Sequence, residues 1–333
     1  MILRPETVLR RHDEAHAGAS VVPIPTWLRR AVSSSDGTAE ATEDLSLTMG
    51  AALAVLDAVI RRQEPWAGVW QHRLALTAAA ITAKQMGRVE DEAALRDAIL
   101  LSRPGDEVGP GGRIVFAWRR LASRPAAELL TAKSLTATLD EFGYAAEMDA
   151  VSDLSGEVGR LSTSVGLVEA LCGAFYAAER LGYGQSMGRW LADAVLAQRF
   201  GWRHAMPLLG SDGVLSRRRR TSGMLVKADA PAGTDSMRGL LAAYARSAVR
   251  AIDLALELER RAARLVAVAP KLRGRGSDAV VARLLGEDAL VASRGDTTTG
   301  MSDRGLRRLF DRLIDLGAVR ELSGRPTFRV YGL

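Results

Sequence analysis

The chain has 333 residues, 47% of them hydrophobic and 25% charged, a balance that excludes a disordered polymer or a membrane-embedded protein and leaves room for two domains, or one large body with an appendage. Its one cysteine, Cys172, cannot form an internal disulfide, and no Cys-x-x-Cys pair offers zinc ligands, so disulfide frameworks and zinc fingers are excluded. The formal net charge of +6 is unevenly spread: residues 1–210 hold 22 Lys and Arg against 25 Asp and Glu, or −3, whereas residues 211–333 hold 23 against 14, or +9.

A cationic back third on a mildly acidic body points to a polyanion, because phosphates attract it and release their counterions on binding. Arginines that merely solvate helix faces would give the same count. Arg4, Glu6, Arg10, Arg11 and Asp13 leave no apolar run of signal-peptide type at the start, and Asp57 and Glu169 break the longer apolar stretches. A cytoplasmic protein with no membrane partner is expected.

Residues 1–44 combine Pro5, Pro23 and Pro25 with a polar run at 33–38, predicting a partly flexible N-terminal arm around a short anchored segment at Trp27 and Leu28. Residues 45–210 predict an all-helical body. Leu53, Leu56, Val59 and Ile60 recur at helical spacing, as do Trp66, Trp70, Leu74 and Ile81, giving two amphipathic helices joined near Glu64 and Pro65. A helix over 92–101, a loop over 103–112, and helices over 113–122, 126–142, 165–181 and 186–199 follow, favoured by abundant alanine. No alternation of β-branched residues precedes residue 318. Residues 211–235 hold Gly213, Gly223, Pro231 and Gly233 together with Arg217, Arg218, Arg219 and Arg220, and read as a basic linker. Residues 236–270 predict a long connecting helix, its last turn at Val268 stopped by Pro270.

Residues 271–333 read as a compact unit. A short helix over 278–285 and an ambiguous element over 287–293 precede a helix opened by Ser302, whose hydroxyl can accept from an orphan backbone N–H, while Asp303 complements the positive helix end. Leu306, Leu309, Phe310, Leu313 and Leu316 form its inward stripe; Arg304, Arg307, Arg308 and Asp311 lie away from it. Gly317 is expected to close the helix in a left-handed conformation. Residues 318–322, a turn at 323–326 and residues 327–331 predict a β-hairpin tipped by Arg325.

This helix, glycine and hairpin resemble the recognition helix and wing of a winged helix-turn-helix. The match runs through Ser302-x-x-Gly305-Leu306-x-Arg308 to Leu313, then Leu316-Gly317-Ala318-Val319, with Gly305 where a hydroxyl residue is common. The resemblance implies a mainly α fold, a helical body carrying a C-terminal winged helix-turn-helix with a small β-hairpin wing over residues 271–333. It also implies contact with double-stranded DNA. Ser302, Arg304, Arg307 and Arg308 would sit at the major groove and Arg325 at a neighbouring minor groove or phosphate, with Arg217, Arg218, Arg219 and Arg220 as an auxiliary phosphate grip. The alternative is a protein partner gripped by the same face, and a homodimer is a further option.

Trp70-Gln71-His72-Arg73-Leu74, Gly87-Arg88-Val89-Glu90-Asp91-Glu92, Arg103-Pro104-Gly105-Asp106, Trp118-Arg119-Arg120-Leu121 and the ending Arg320-Glu321-Leu322-Ser323-Gly324-Arg325-Pro326 resemble a bacterial family known as domain of unknown function 1403. That resemblance implies a home on plasmids or mobile elements, and no activity.

Other motifs favour structure over chemistry. Arg73, Glu92, Arg96, Asp97 and Asp106 beside Trp66, Trp70 and Trp118 read as semi-buried ion pairs that fix helix register. A polar ligand pocket at Arg73, Arg96, Asp97 and Trp118 is the sharper alternative, and would make the body a small-molecule sensor or enzyme. Gly184-Gln185-Ser186-Met187-Gly188 fits a nucleophile elbow, but that motif needs a strand-to-helix turn, so Ser186 is expected as a helix N-cap. His12 and His16 lack a third ligand, and Gly109 to Gly112 reads as a turn. Cys172 is expected in the core. No catalytic residue, metal or cofactor is expected.

Overall fold

Alanine-rich amphipathic segments give helix along most of the chain. The computed structural model describes residues 21, 23–34, 42–102, 106–213, 215, 234–272, 274, 276–292, 300–323 and 328–333. Its helices are α1 (Thr26–Ser34), α2 (Thr42–Arg61), α3 (Ala67–Gln85), α4 (Glu92–Leu100), α5 (Gly109–Ser123), α6 (Ala126–Leu129), α7 (Ala132–Phe142), α8 (Met148–Ser164), α9 (Leu167–Arg180), α10 (Gln185–Phe200), α11 (Thr234–Val268), α12 (Ser277–Gly286) and α13 (Asp303–Asp315). The strands are β1 (Leu290–Val291), β2 (Arg320–Glu321) and β3 (Val330–Gly332). The fold is thus mainly helical with a small three-stranded antiparallel sheet. Among the described residues no helix is long and apolar enough to cross a membrane.

The chain divides into a larger unit, residues 24–62 and 71–252, and a smaller one, residues 1–23, 63–70 and 253–333. In the larger unit α10 is the axis. Every residue from Ser186 to Ala197 is buried, as expected of a helix enclosed on all sides, and α5 to α9 pack around it. Two glycines permit the close approach: a Cβ on Gly188 would stand 2.4 Å from the Phe175 carbonyl oxygen, and one on Gly184 would stand 2.1 Å from the Tyr144 hydroxyl.

Several elements differ from expectation for local reasons. The helix predicted over 126–142 breaks into α6 and α7, because the Thr131 hydroxyl accepts from the Ser134 N–H and starts a new helix. Helix α5 begins at Gly109, inside the expected loop, with Pro110 in the first turn, where a missing N–H costs nothing. Helix α8 was hidden by Ser152, Ser155, Gly156, Gly159 and Ser162, poor helix formers, although Val151, Leu154 and Val158 bury one face. The segment at Trp27 is anchored by Leu28 and Val32, while Trp27 itself is exposed.

In the smaller unit, the last turns of α11 supply Leu258, Ala262 and Leu265, and α12 supplies Val280, Val281, Leu284 and Leu285. Leu306, Leu309, Phe310 and Leu313 of α13 complete the core with Val330 and Tyr331 of β3. The sheet order is β1-β3-β2, with Leu290 opposite Tyr331 and Glu321 opposite Tyr331 on the other side. The ambiguous element over 287–293 therefore contains a third strand beyond the expected hairpin. A Cβ on Gly68, at the start of α3, would stand 2.5 Å from the Gly286 oxygen, so these two backbones touch. Arg261 ties α11 to the strand end, donating to the Leu333 carbonyl at 2.9 Å while pairing with Glu257.

Candidate nucleic-acid interface

Ser302 holds the start of α13, its hydroxyl accepting from the Gly305 N–H at 3.3 Å. At the other end Gly317 takes φ 65°, its N–H bonding the Ile314 carbonyl at 2.8 Å and the Ala318 N–H bonding the Leu313 carbonyl at 2.9 Å. This pair of bonds is a Schellman closure, and it turns the chain directly into β2. With one face buried, the helix presents Arg304, Arg307, Arg308 and Arg312 to solvent. Among the described residues none of these four is held in an ion pair, although Asp311 and Asp315 share the exposed surface. Arg312 extends the row one turn beyond the three arginines singled out in the sequence. Its spacing of four from Arg308 was readable there.

The hairpin supplies the neighbouring surface. The Leu322 N–H donates to the Val330 carbonyl at 2.7 Å, and the Val330 N–H donates to the Ser323 hydroxyl at 3.2 Å, so Ser323 ends the ladder. Arg320 is exposed, and Arg329 lies 3.6 Å from Glu321. Arg325, expected at the hairpin tip from the sequence, lies outside the described residues, as do Arg217, Arg218, Arg219, Arg220, His12 and His16. Phe328, which was not singled out from the sequence, is 56% exposed with φ 56°. It shares strand parity with buried Val330, so regular β structure would have turned it inward. The left-handed φ interrupts the strand and leaves the ring in solvent.

Residues 14–333 match the profile of a protein family described as Protein of unknown function (DUF1403). The chain belongs to the DUF1403 family. No curated protein matches this DUF1403 chain.

The residues singled out in the helical body are placed otherwise. Trp118 is fully buried, donates its indole N–H to the Thr82 hydroxyl at 3.0 Å and meets Phe142 edge-on at 5.8 Å. Arg73, Arg96 and Asp97 are half-buried and each has a polar or ring partner; Glu92 accepts from the Thr77 hydroxyl at 2.7 Å. Ser186 is not an N-cap, because Gly184 takes that position and Ser186 lies in the first turn of α10. Gly188 of the same elbow-like string lets α10 approach the Phe175 carbonyl, so the string serves helix packing. Cys172 is half-buried beside the core, and burial pushes its thiol up to about 11.

The larger unit also holds a buried polar layer that the sequence did not reveal. Asp193 of α10 is fully buried and accepts from the Leu209 N–H at 3.2 and 3.1 Å; burial pushes its carboxyl well above the usual range, against the pull of backbone donors at 208–210. Tyr244 interacts electrostatically with Asp193, but among the described residues its hydroxyl has no hydrogen-bond partner of ordinary geometry. Asp212 is also fully buried. Burial alone would raise its carboxyl, but Arg246 at 3.1 Å, with the Leu215 N–H and Arg250 at 2.9 Å, holds it below the usual range. Sequence spacing carries no sign of this layer, because its members come from α10, the turn at 209–212 and α11. Among the described residues no group of three His, Cys, Asp or Glu side chains is placed to hold a metal.

Proposed function

We propose that this protein binds double-stranded DNA without catalysis, with α13 as the recognition helix of a winged helix and the strands β2 and β3 as its wing. The observation that carries this reading is the row Arg304, Arg307, Arg308 and Arg312: four exposed guanidinium groups, held in no ion pair among the described residues, on a helix rigidly backed by its apolar face. A guanidinium fork can pair with guanine edges in the major groove or with phosphate oxygens. The sheet order β1-β3-β2, with α13 leading directly into β2, is the one a winged helix uses, although among the described residues α13 is the one helix between β1 and β2, where a helix-turn-helix has two; the excess positive charge of residues 211–333 supports a phosphate-rich partner. The biological role that fits is a regulator or accessory factor in maintaining a bacterial plasmid or other mobile element.

A mobility-shift titration of the full chain with duplex DNA at two salt concentrations tests this. Binding through an arginine face must weaken steeply as salt rises. No shift even at low salt, or a shift indifferent to Arg307→Glu and Arg308→Glu, would overturn the proposal. In the second case co-purification of a protein partner would assign the same helix to an assembly.

A further inference from the structure

Resting on the reading of α13 as a DNA-recognition helix, we propose that Phe328 is a wedge by which the hairpin grips the duplex, its ring stacking into a minor-groove base step beside the groove that α13 occupies. Three observations converge on it. The ring is 56% exposed, so most of it lies outside the core. Its backbone adopts φ 56°, a conformation that costs a bulky residue strain and that glycine or asparagine would take more readily. It also stands on a hairpin that carries exposed Arg329 next to it in sequence, paired with Glu321 at 3.6 Å, and exposed Arg320 on β2, opposite Gly332.

A lone exposed aromatic is ordinary on a protein surface. One held out of its strand by strained backbone, beside cations, is not what packing or folding would select. Strain of this kind persists where the surroundings over-determine it, and it concentrates at ligand clamps. An apolar ring on a hairpin that carries arginines suits a groove whose walls are phosphate and whose floor is base edges, because the cations meet the walls while the ring unstacks a step. Stacking tolerates any base, so the wedge adds affinity and bend with little sequence preference.

The test uses the full chain and a duplex that it enriches from a random-sequence pool. Affinity is measured across a salt series, and bending by energy transfer between dyes at the duplex ends, for wild type, Phe328→Ala, Phe328→Gly and Phe328→Trp. Phe328→Ala and Phe328→Gly should each lose about tenfold in affinity and relax the bend. The slope of log affinity on log salt should not change, because a ring releases no counterion. Phe328→Trp should retain both properties, and Phe328→Gly should melt no lower than wild type, which separates this role from a structural one. Wild-type affinity and bend in Phe328→Ala would overturn the wedge while leaving the α13 reading intact, as would a loss accompanied by a shallower salt slope. Failure to enrich any duplex would overturn both.

Discussion

Phe310 of α13 and Tyr331 of β3 stack face to face, with ring centroids 4.3 Å apart and planes 3° from parallel. The stack binds the candidate recognition helix to the central strand of the sheet, so the hairpin cannot swing independently of the helix. Burial raises the Tyr331 hydroxyl above its usual range; Arg329 opposes the rise, while Asp311 and Glu321 add to it. Tyr331→Ala should destabilise this unit by about 3–5 kcal/mol, as large-to-small changes at buried rings do. Tyr331→Phe should cost about 1 kcal/mol, the worth of one polar contact. Urea denaturation followed by a signal from this unit measures both, and equal effects from the two variants would rule out the stack as the source.

The arginines should be separable by salt dependence. Arg307→Ala and Arg308→Ala should each reduce the slope of log affinity on log salt by about 0.9, the expectation for one lost phosphate contact on duplex DNA. A variant that instead loses affinity with an unchanged slope would mark a base contact. Arg124→Ala, an exposed arginine of the helical body, should leave the titration as it was.

Helix α10 should be intolerant at its glycine and indifferent at its serine. Gly188→Ala forces a methyl group to within 2.4 Å of the Phe175 carbonyl, a backbone atom that cannot swing away, and should cost about 1–3 kcal/mol or more. Ser186→Ala should change stability by less than about 1 kcal/mol. Comparing the two melting curves checks both, and a severe loss from Ser186→Ala would give that hydroxyl a role its position does not suggest.

The two buried aspartates should respond to pH with opposite sign. The folded pKa of Asp212 is depressed, so its contribution is present above the unfolded value of about 3.9 and is lost as pH falls through the folded value. The folded pKa of Asp193 is raised well above its unfolded value. Between the two values the native state holds a proton that the unfolded chain releases, so stability drains away as pH climbs from about 4. Asp193→Asn should therefore gain on wild type at pH 7.5 relative to pH 4.5, in melting temperature. A gain that is the same at both pH values would mean that Asp193 does not titrate in this range.

Cys172 should be a sluggish thiol. With its pKa pushed up to about 11 by burial, thiolate is scarce at pH 8, and alkylation should run far slower in the native protein than after unfolding, where the ordinary value is about 8.5. Comparable rates in the two states would show that the thiol is not desolvated.

What could be read from the chain depended on whether a signal was local. The 3.6-residue stripe of α13, its Ser302 cap and its Gly317 stop are all contained within sixteen residues, and each stands where it was expected. Helix α8 escaped because serine and glycine diluted its stripe, and β1 escaped because two residues carry no period of their own. Phe328 was invisible for a different reason: its exposure follows from one backbone angle that no neighbour in the sequence announces. The pairs Asp193 with Tyr244 and Asp212 with Arg246 are assembled from three separated elements. Only folding brings those charges into one layer.

The middle strand of the sheet is also the one that holds the other two. Before Val330 to Gly332 dock, Leu290 and Arg320 lack the strand that mates with them, and both flanking strands are bare edges open to other chains. A change that keeps this one strand from docking would thus undo the pairing of Leu290, about forty positions away in sequence, together with that of Arg320, and would leave copies of the protein prone to clump.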